Sequence, residues 1–115
     1  MNRRTRVYVA GPYTKPDPCV NTHEAVKTAT VLLKLGYAPF VPHLSHFWHT
    51  MTPMPYEAWL DYDNQFLPCC DCVLRLPGES SGADKEVELA KSLGIRVLYG
   101  TSDLLTHIAP VIEAA

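Results

Sequence analysis

LPGESSGADKEVELA, Leu76 to Ala90, reads as a strand end, a Gly-Ser loop and the opening of a helix. With the helix starting after Ser81 and turning by about 100° per residue, Ala83, Val87, Ala90 and Leu93 share one face. Asp84, Lys85, Glu88 and Lys91 point the other way. Glu86 does not. It projects between Ala90 and Leu93, and a carboxylate on an apolar face is costly unless it is paired or put to use.

The flanking segments complete the unit. DCVLRL, Asp71 to Leu76, and IRVLYG, Ile95 to Gly100, are short runs rich in strand-forming residues, one before the helix and one after it. Upstream, RVYVAG, Arg6 to Gly11, is a first strand closed by Gly-Pro, followed by a helical pattern from about Asn21 to Leu35 with Gly36 as its C-cap. YAPFVP, Tyr37 to Pro42, is a second strand ended by its last proline. HLSHFWHTMTPMP then forms a long irregular stretch, too apolar for an ordinary solvated loop and suited to a lid or binding loop. A helix follows over Tyr56 to Leu67, and another closes the chain over Ser102 to Glu113. Strands alternating with helices imply an α/β fold. The expected form is a Rossmann-like (flavodoxin-like) parallel sheet of four to five strands, with helices on both faces and a single domain over residues 1–115. Ligands of such sheets gather at the carboxyl ends of the strands, where the loops after Ala10, Pro42 and Leu76 lie.

Composition narrows the function classes. A net charge of -2 over 115 residues, with Lys and Arg scattered, argues against a nucleic-acid polymer as partner. Arg3, Arg4 and Arg6 are expected to form a solvated, frayed end. No run of about 18 apolar residues suggests a membrane span, and no signal-peptide pattern opens the sequence, so a cytoplasmic protein is expected. Cys19, Cys69, Cys70 and Cys72 lack the paired spacing of a zinc site and are expected to be buried free thiols. His43, His46 and His49 recur every three residues, but Pro42 and Pro53 oppose the long helix that would align them, so no metal is expected. Stacking of Phe47, Trp48 or a histidine on a planar ligand suits that stretch better.

The helix over Tyr56 to Leu67 repeats the anomaly of Glu86. Its apolar stripe is Tyr56, Trp59, Leu60, Phe66 and Leu67, and Asp63 falls in the middle, while Glu57 and Asp61 face outward. Asp63 capping a loop, or Glu86 pairing with Arg75, would explain one inward acid. Two inward acids at the same sheet edge favour a catalytic pair. The first turns of a helix favour an ionised Glu86, and hence a nucleophile or charge stabiliser. Ser81 and Asp84 have capping-box-like spacing, and the N–H groups of Ser80, Ser81 and Gly82 suit an anion or hydroxyl. Paired carboxyls flanking one carbon are the usual means of glycosyl transfer through an oxocarbenium-like state.

VYVAGPYT, DNQFLPCCDCV and SSGADKEVELA together resemble the nucleoside 2-deoxyribosyltransferase and 2'-deoxynucleoside 5'-phosphate N-hydrolase superfamily, small uncharacterised relatives included. The resemblance rests on the Ser80, Gly82 and Glu86 spacing combined with Asp63. It implies that Glu86 attacks C1' of a deoxyribose, that Asp63 assists at the sugar or base, and that the Tyr8 phenol orients the glutamate. Simple strand packing is the other role open to Tyr8. Gly11, Ser80, Ser81 and Gly82 would line the substrate, a small nucleoside or nucleotide, with no cofactor. Serine at position 80, where transferases carry an acid, leans toward a 5'-monophosphate. The loop GPYTKP, with Lys15 its one cation, lacks the Gly- and Arg-rich sequence of the phosphate-binding relatives. The resemblance also implies a homodimer whose neighbouring subunit completes the site, with Ser102 the candidate for that contribution. Two alternatives stay open: a phosphoribohydrolase of the lysine-decarboxylase-like type, and a non-catalytic nucleotide sensor.

Overall fold

A computed structural model of the chain describes residues 3–110. Its strands are β1 (Arg6–Ala10), β2 (Ala38–Phe40), β3 (Cys72–Arg75) and β4 (Arg96–Tyr99), all parallel, in the order β2-β1-β3-β4. The helices are α1 (Pro18–Lys34), α2 (Ser45–Met51), α3 (Tyr56–Asn64), α4 (Ser81–Ser92) and α5 (Thr101–His107). This is the expected α/β sheet with four strands.

The period of two along the strands decides what meets what. Val7 and Val9 on β1, with Cys72 and Leu74 on β3, join Ala25 and Leu32 of α1 and Leu104 of α5 in one core. Tyr8 and Ala10, with Val73, point to the opposite face and pack with Ala83 and Ala90 of α4. Strand order reverses between β1 and β3, whose register pairs Tyr8 with Val73 and Ala10 with Arg75. The crevice at their carboxyl ends is where such a sheet receives a ligand.

Several boundaries differ from the sequence reading. Helix α1 begins at Pro18 rather than Asn21, because the Asp17 carboxylate accepts from the N–H groups of Cys19 (2.8 Å) and Val20 (3.2 Å), and Pro18 needs no N–H partner there. The stretch expected to be irregular contains a short 3-10 turn, Pro42–Leu44, and then α2. Two bonds from the residues that follow tie its last turn down, because His49 Nδ1 accepts from Trp59 Nε1 (2.9 Å) and from the Met54 N–H (3.2 Å). Trp48 also packs edge-on against Trp59 with centroids 5.0 Å apart, so α2 and α3 form one stapled hairpin.

Helix α3 stops at Asn64, and Leu67 is buried from a separate 3-10 turn, Leu67–Cys69, where Pro68 ends the helical hydrogen bonding. Helix α5 ends at His107, since Ile108 is extended and packs on the core; Glu113, the expected end, lies outside the described residues. The Arg3 end is not frayed, because Arg3 makes a two-pronged pair with Asp71 (2.8 and 3.0 Å) and the Arg6 N–H donates to the same carboxylate (2.7 Å). Of the four cysteines, all free, only Cys70 and Cys72 are buried; Cys19 and Cys69 are exposed, one in the first turn of α1 and one in a surface turn. Leu93, placed on the apolar face by projection, caps α4 and is exposed. No helix among the described residues is long and apolar enough to cross a membrane.

Leu74, fully buried on a central strand, anchors the α1 core. Truncation by Leu74→Ala is expected to cost about 2–5 kcal/mol, measured as a lowered midpoint in urea unfolding at unchanged slope.

Candidate active site

The sheet parity that points Tyr8 toward α4 brings its hydroxyl to Glu86. Both side chains are buried, and the Tyr8 O–H donates to Glu86 Oε2. Tyr8 is held from the other side by stacking on Phe40 (centroids 5.5 Å apart), which itself stacks on Phe66. Asp63, from α3, is buried to the same degree as Glu86, and the two line one cavity with Gly11, Tyr13, His43, Tyr56, Trp59 and Ser80. The cavity itself is small, about 50 Å³. It sits at the carboxyl ends of β1, β2 and β3.

Arg75 does not neutralise Glu86 by direct pairing. Its guanidinium bonds Asp84 (3.1 Å) and the Gly78 carbonyl (3.0 Å), on the rim of α4. Burial therefore dominates and pushes the Glu86 carboxyl up to about 7, although the Tyr8 hydrogen bond and the more distant Arg75 charge favour ionisation. Burial, then the Glu86 charge, raises Asp63 to about 7 as well. The start of α4 favours an ionised Glu86, but desolvation outweighs that preference here. Two carboxyls that exchange protons near neutrality, one charge opposing the other, provide an acid and a base in one cavity. Tyr8 stays protonated, its phenol raised by burial and by Glu86.

The opening of α4 also differs from expectation. Ser80, not Ser81, is the N-cap: its Oγ accepts from the Ala83 N–H (3.0 Å), and Ser81 is the first helical residue. Ser81 and Gly82 line an adjoining groove with Lys15, Glu79 and Ser80 rather than the cavity itself. Tyr56 and Tyr13 border both spaces. The Tyr56 hydroxyl lies directly over Gly82, so an added Cβ there would press on it and displace the tyrosine tip. Gly11 is less tight, an added Cβ meeting Leu76 Cβ at 3.0 Å.

Phe47 and Trp48 are at least half exposed on α2 and do not line this cavity; Trp48 packs on Trp59 and Tyr62 and lines an adjoining hollow with Asp63 and Pro42. The aromatic walls are instead Tyr13, Tyr56 and Trp59, which the sequence reading missed. The helical spacing of Tyr56, Trp59 and Asp63 was the available signal.

His43 was missed as well. Its Nε2 faces the Pro12 carbonyl at 2.9 Å and so carries the hydrogen, and its buried Nδ1 has no hydrogen-bond partner. Burial lowers its pKa, partly opposed by the Pro12 and Gly11 carbonyls, which leaves a neutral ring with an acceptor nitrogen. No group of three or more His, Cys, Asp or Glu suited to a metal occurs among the described residues.

A family model described as "Domain of unknown function (DUF4406)" matches residues 5–99. The chain belongs to this family. No curated protein matches the DUF4406 chain in sequence. Its fold is shared with a 2-deoxyribosyltransferase from Bacillus psychrosaccharolyticus (18% identity, TM-score 0.60, 82% of this chain and 70% of that one). It is shared too with a 2-deoxyribosyltransferase from Leishmania mexicana (15% identity, TM-score 0.61, 96% and 79%). A conserved protein from Enterococcus faecalis is similar to the same degree (16% identity, TM-score 0.63, 91% and 76%). At these identities the likeness establishes the doubly wound α/β fold.

A carboxyl whose pKa is raised in the folded state binds its proton more tightly there than in the unfolded chain. Stability from Glu86 is therefore full below its ordinary value of 4.5 and is lost as pH rises toward about 7. Glu86→Gln should remove that loss, so that the variant gains on the wild type by about 1–3 kcal/mol between pH 4.5 and 7.5, read from denaturant unfolding as a function of pH. Parallel curves for the two proteins would contradict it.

Proposed function

We propose that this DUF4406 chain cleaves the N-glycosidic bond of a 2'-deoxynucleoside, passing the deoxyribosyl group to water or to another base. The observation that carries this reading is the pair of buried carboxyls, Asp63 and Glu86, both displaced to about 7 and lining one cavity. In the reaction the ionised Glu86 attacks C1', the bond from C1' to the base nitrogen breaks, and the departing nitrogen takes a proton from Asp63. Attack by water or a second base on C1' then frees Glu86. Tyr8 holds the carboxylate in line by its hydrogen bond. A 2'-deoxy sugar eases the step, because it lacks the electron-withdrawing hydroxyl that would oppose positive charge at C1'. A sensor would have no need of two carboxyls near neutrality.

The groove beside Ser80 bears on the choice between nucleoside and 5'-monophosphate. Lys15 lines it, but so does Glu79, and the Tyr56 hydroxyl covers Gly82 at the start of α4. One cation offset by one anion suits a neutral 5'-hydroxyl better than a phosphate dianion. The nucleoside is therefore the preferred substrate in this reading, which departs from the leaning that Ser80 alone suggested.

The test is release of free base from each 2'-deoxynucleoside and each 5'-monophosphate, with and without an acceptor base. Release is expected from nucleosides, with a rate that passes through a maximum near pH 7, where one carboxyl is ionised and the other is not. Glu86→Ala should lower turnover by roughly 10³-fold or more. Unchanged turnover in that variant would remove Glu86 from the mechanism, and release from monophosphates alone would reverse the groove argument.

In this reading the unpartnered Nδ1 of His43, a residue that lines the cavity, accepts an N–H of the base. His43→Gln keeps a donor to the Pro12 carbonyl and loses that acceptor, whereas His43→Asn places an amide oxygen near the Nδ1 position. Discrimination between 2'-deoxyadenosine and the purine 2'-deoxyriboside that lacks its amino group should be about tenfold in the wild type, lost in His43→Gln and partly kept in His43→Asn. Equal discrimination in all three proteins would exclude this contact.

A further inference from the structure

Outside the carboxyl pair, three side chains from three segments meet, one of them Tyr13 of the cavity wall. Cys19 lies in the first turn of α1 with its thiol exposed, and its Sγ is 3.6 Å from His46 Nε2 on α2. His46 Nδ1 is 2.8 Å from the Tyr13 hydroxyl, on the loop after β1, and the two rings meet edge-on with centroids 5.8 Å apart. A nucleophile beside a base, with the base oriented by a third group, is the arrangement that activates thiols. With Nδ1–H donating to the Tyr13 oxygen, the Nε2 lone pair faces the thiol. The Asp17 carboxylate is engaged with the Cys19 and Val20 N–H groups.

The neighbouring thiols offer a contrast. Cys70 and Cys72 are buried, and burial raises both, to about 11 and about 12. Cys69 is exposed as Cys19 is, in a short 3-10 turn. Exposure alone therefore does not distinguish Cys19; its imidazole partner does.

We propose that Cys19, His46 and Tyr13 form a thiol-activating relay that takes small-molecule disulfides of the glutathione class, and that thiolation of Cys19 loosens the Tyr13 wall of the cavity. His46 Nε2 accepts the thiol proton, and the sulfur attacks one sulfur of the disulfide. A bond forms between Cys19 and that sulfur, the original S–S bond breaks, and the departing thiolate takes the proton back from His46. A disulfide and a thiol give a mixed disulfide and a new thiol, with no further oxidant. The added group then occupies the space through which Sγ met His46, which releases the imidazole from Tyr13. Tyr13 borders both the cavity and the groove. The thiol chemistry stands independently of the proposed glycosidic reaction; only the effect on turnover rests on it.

The experiment treats the full chain with glutathione disulfide and follows each cysteine by intact mass and peptide mapping. Cys19 is expected to be thiolated about tenfold faster than Cys69, a modest share of the ~10²–10⁴-fold that a positioned proton acceptor supplies. His46→Gln, which keeps a polar partner but takes no proton, should bring Cys19 down to the Cys69 rate, and Tyr13→Phe should fall between. Equal rates for the two thiols in the wild type, or an unaltered Cys19 rate in His46→Gln, would overturn the relay. Turnover of the thiolated protein should fall and recover with reductant, while Cys19→Ser stays insensitive to the disulfide. Full turnover after complete thiolation would overturn the link to the cavity. Absence of turnover in the untreated wild type would count against the glycosidic reading, and the mass data would still decide the relay.

Discussion

The hydrogen bond from Tyr8 to Glu86 joins the sheet to the helix that covers it, and most of the site's geometry follows from it. It exists because alternate residues of β1 face opposite layers, so Tyr8 and Ala10 turn toward α4 while Val7 and Val9 turn toward α1. A shift of one residue in the β1 register would put valine under Glu86 and leave a buried acid without a donor. The cost of burying that acid is offset only in part, since its proton affinity remains raised. Such residual strain in protonation is common where chemistry is done.

Asp63 shows the same principle from another direction. It reaches the cavity from a short helix stapled to its predecessor by Trp48, Trp59 and His49. These contacts fix the inner face of α3, and with it Asp63 and Trp59, against the mouth of β1. What looked like an unstructured lid is an ordered hairpin, with polar bonds at its turn and aromatic packing along its length.

The sequence was most legible where a periodic pattern met a local contradiction. Short runs of strand-forming residues located all four strands, and the two acids within apolar helical faces pointed to one crevice. It was least legible where long-range partners decide the outcome. Short helix α2 has little intrinsic stability, and its imidazole and indole partners lie beyond it in the chain. Arg3 looked free because Asp71 is distant in sequence. Aromatic content did not say which way α2 is rolled, so the packing of Trp48 on Trp59 and Tyr62 was not legible. His43 carried no periodic signal, and its spare nitrogen is evident only once Pro12 is seen to claim the other.

The chain has two tryptophans, and both are in the hairpin that borders the cavity. Trp59 forms part of the wall, while Trp48 packs against it from the solvent side. The intrinsic fluorescence of this protein therefore originates almost wholly at one place, next to the crevice. Any occupant touching the indole, or any movement of the hairpin, is reported by emission without an attached dye.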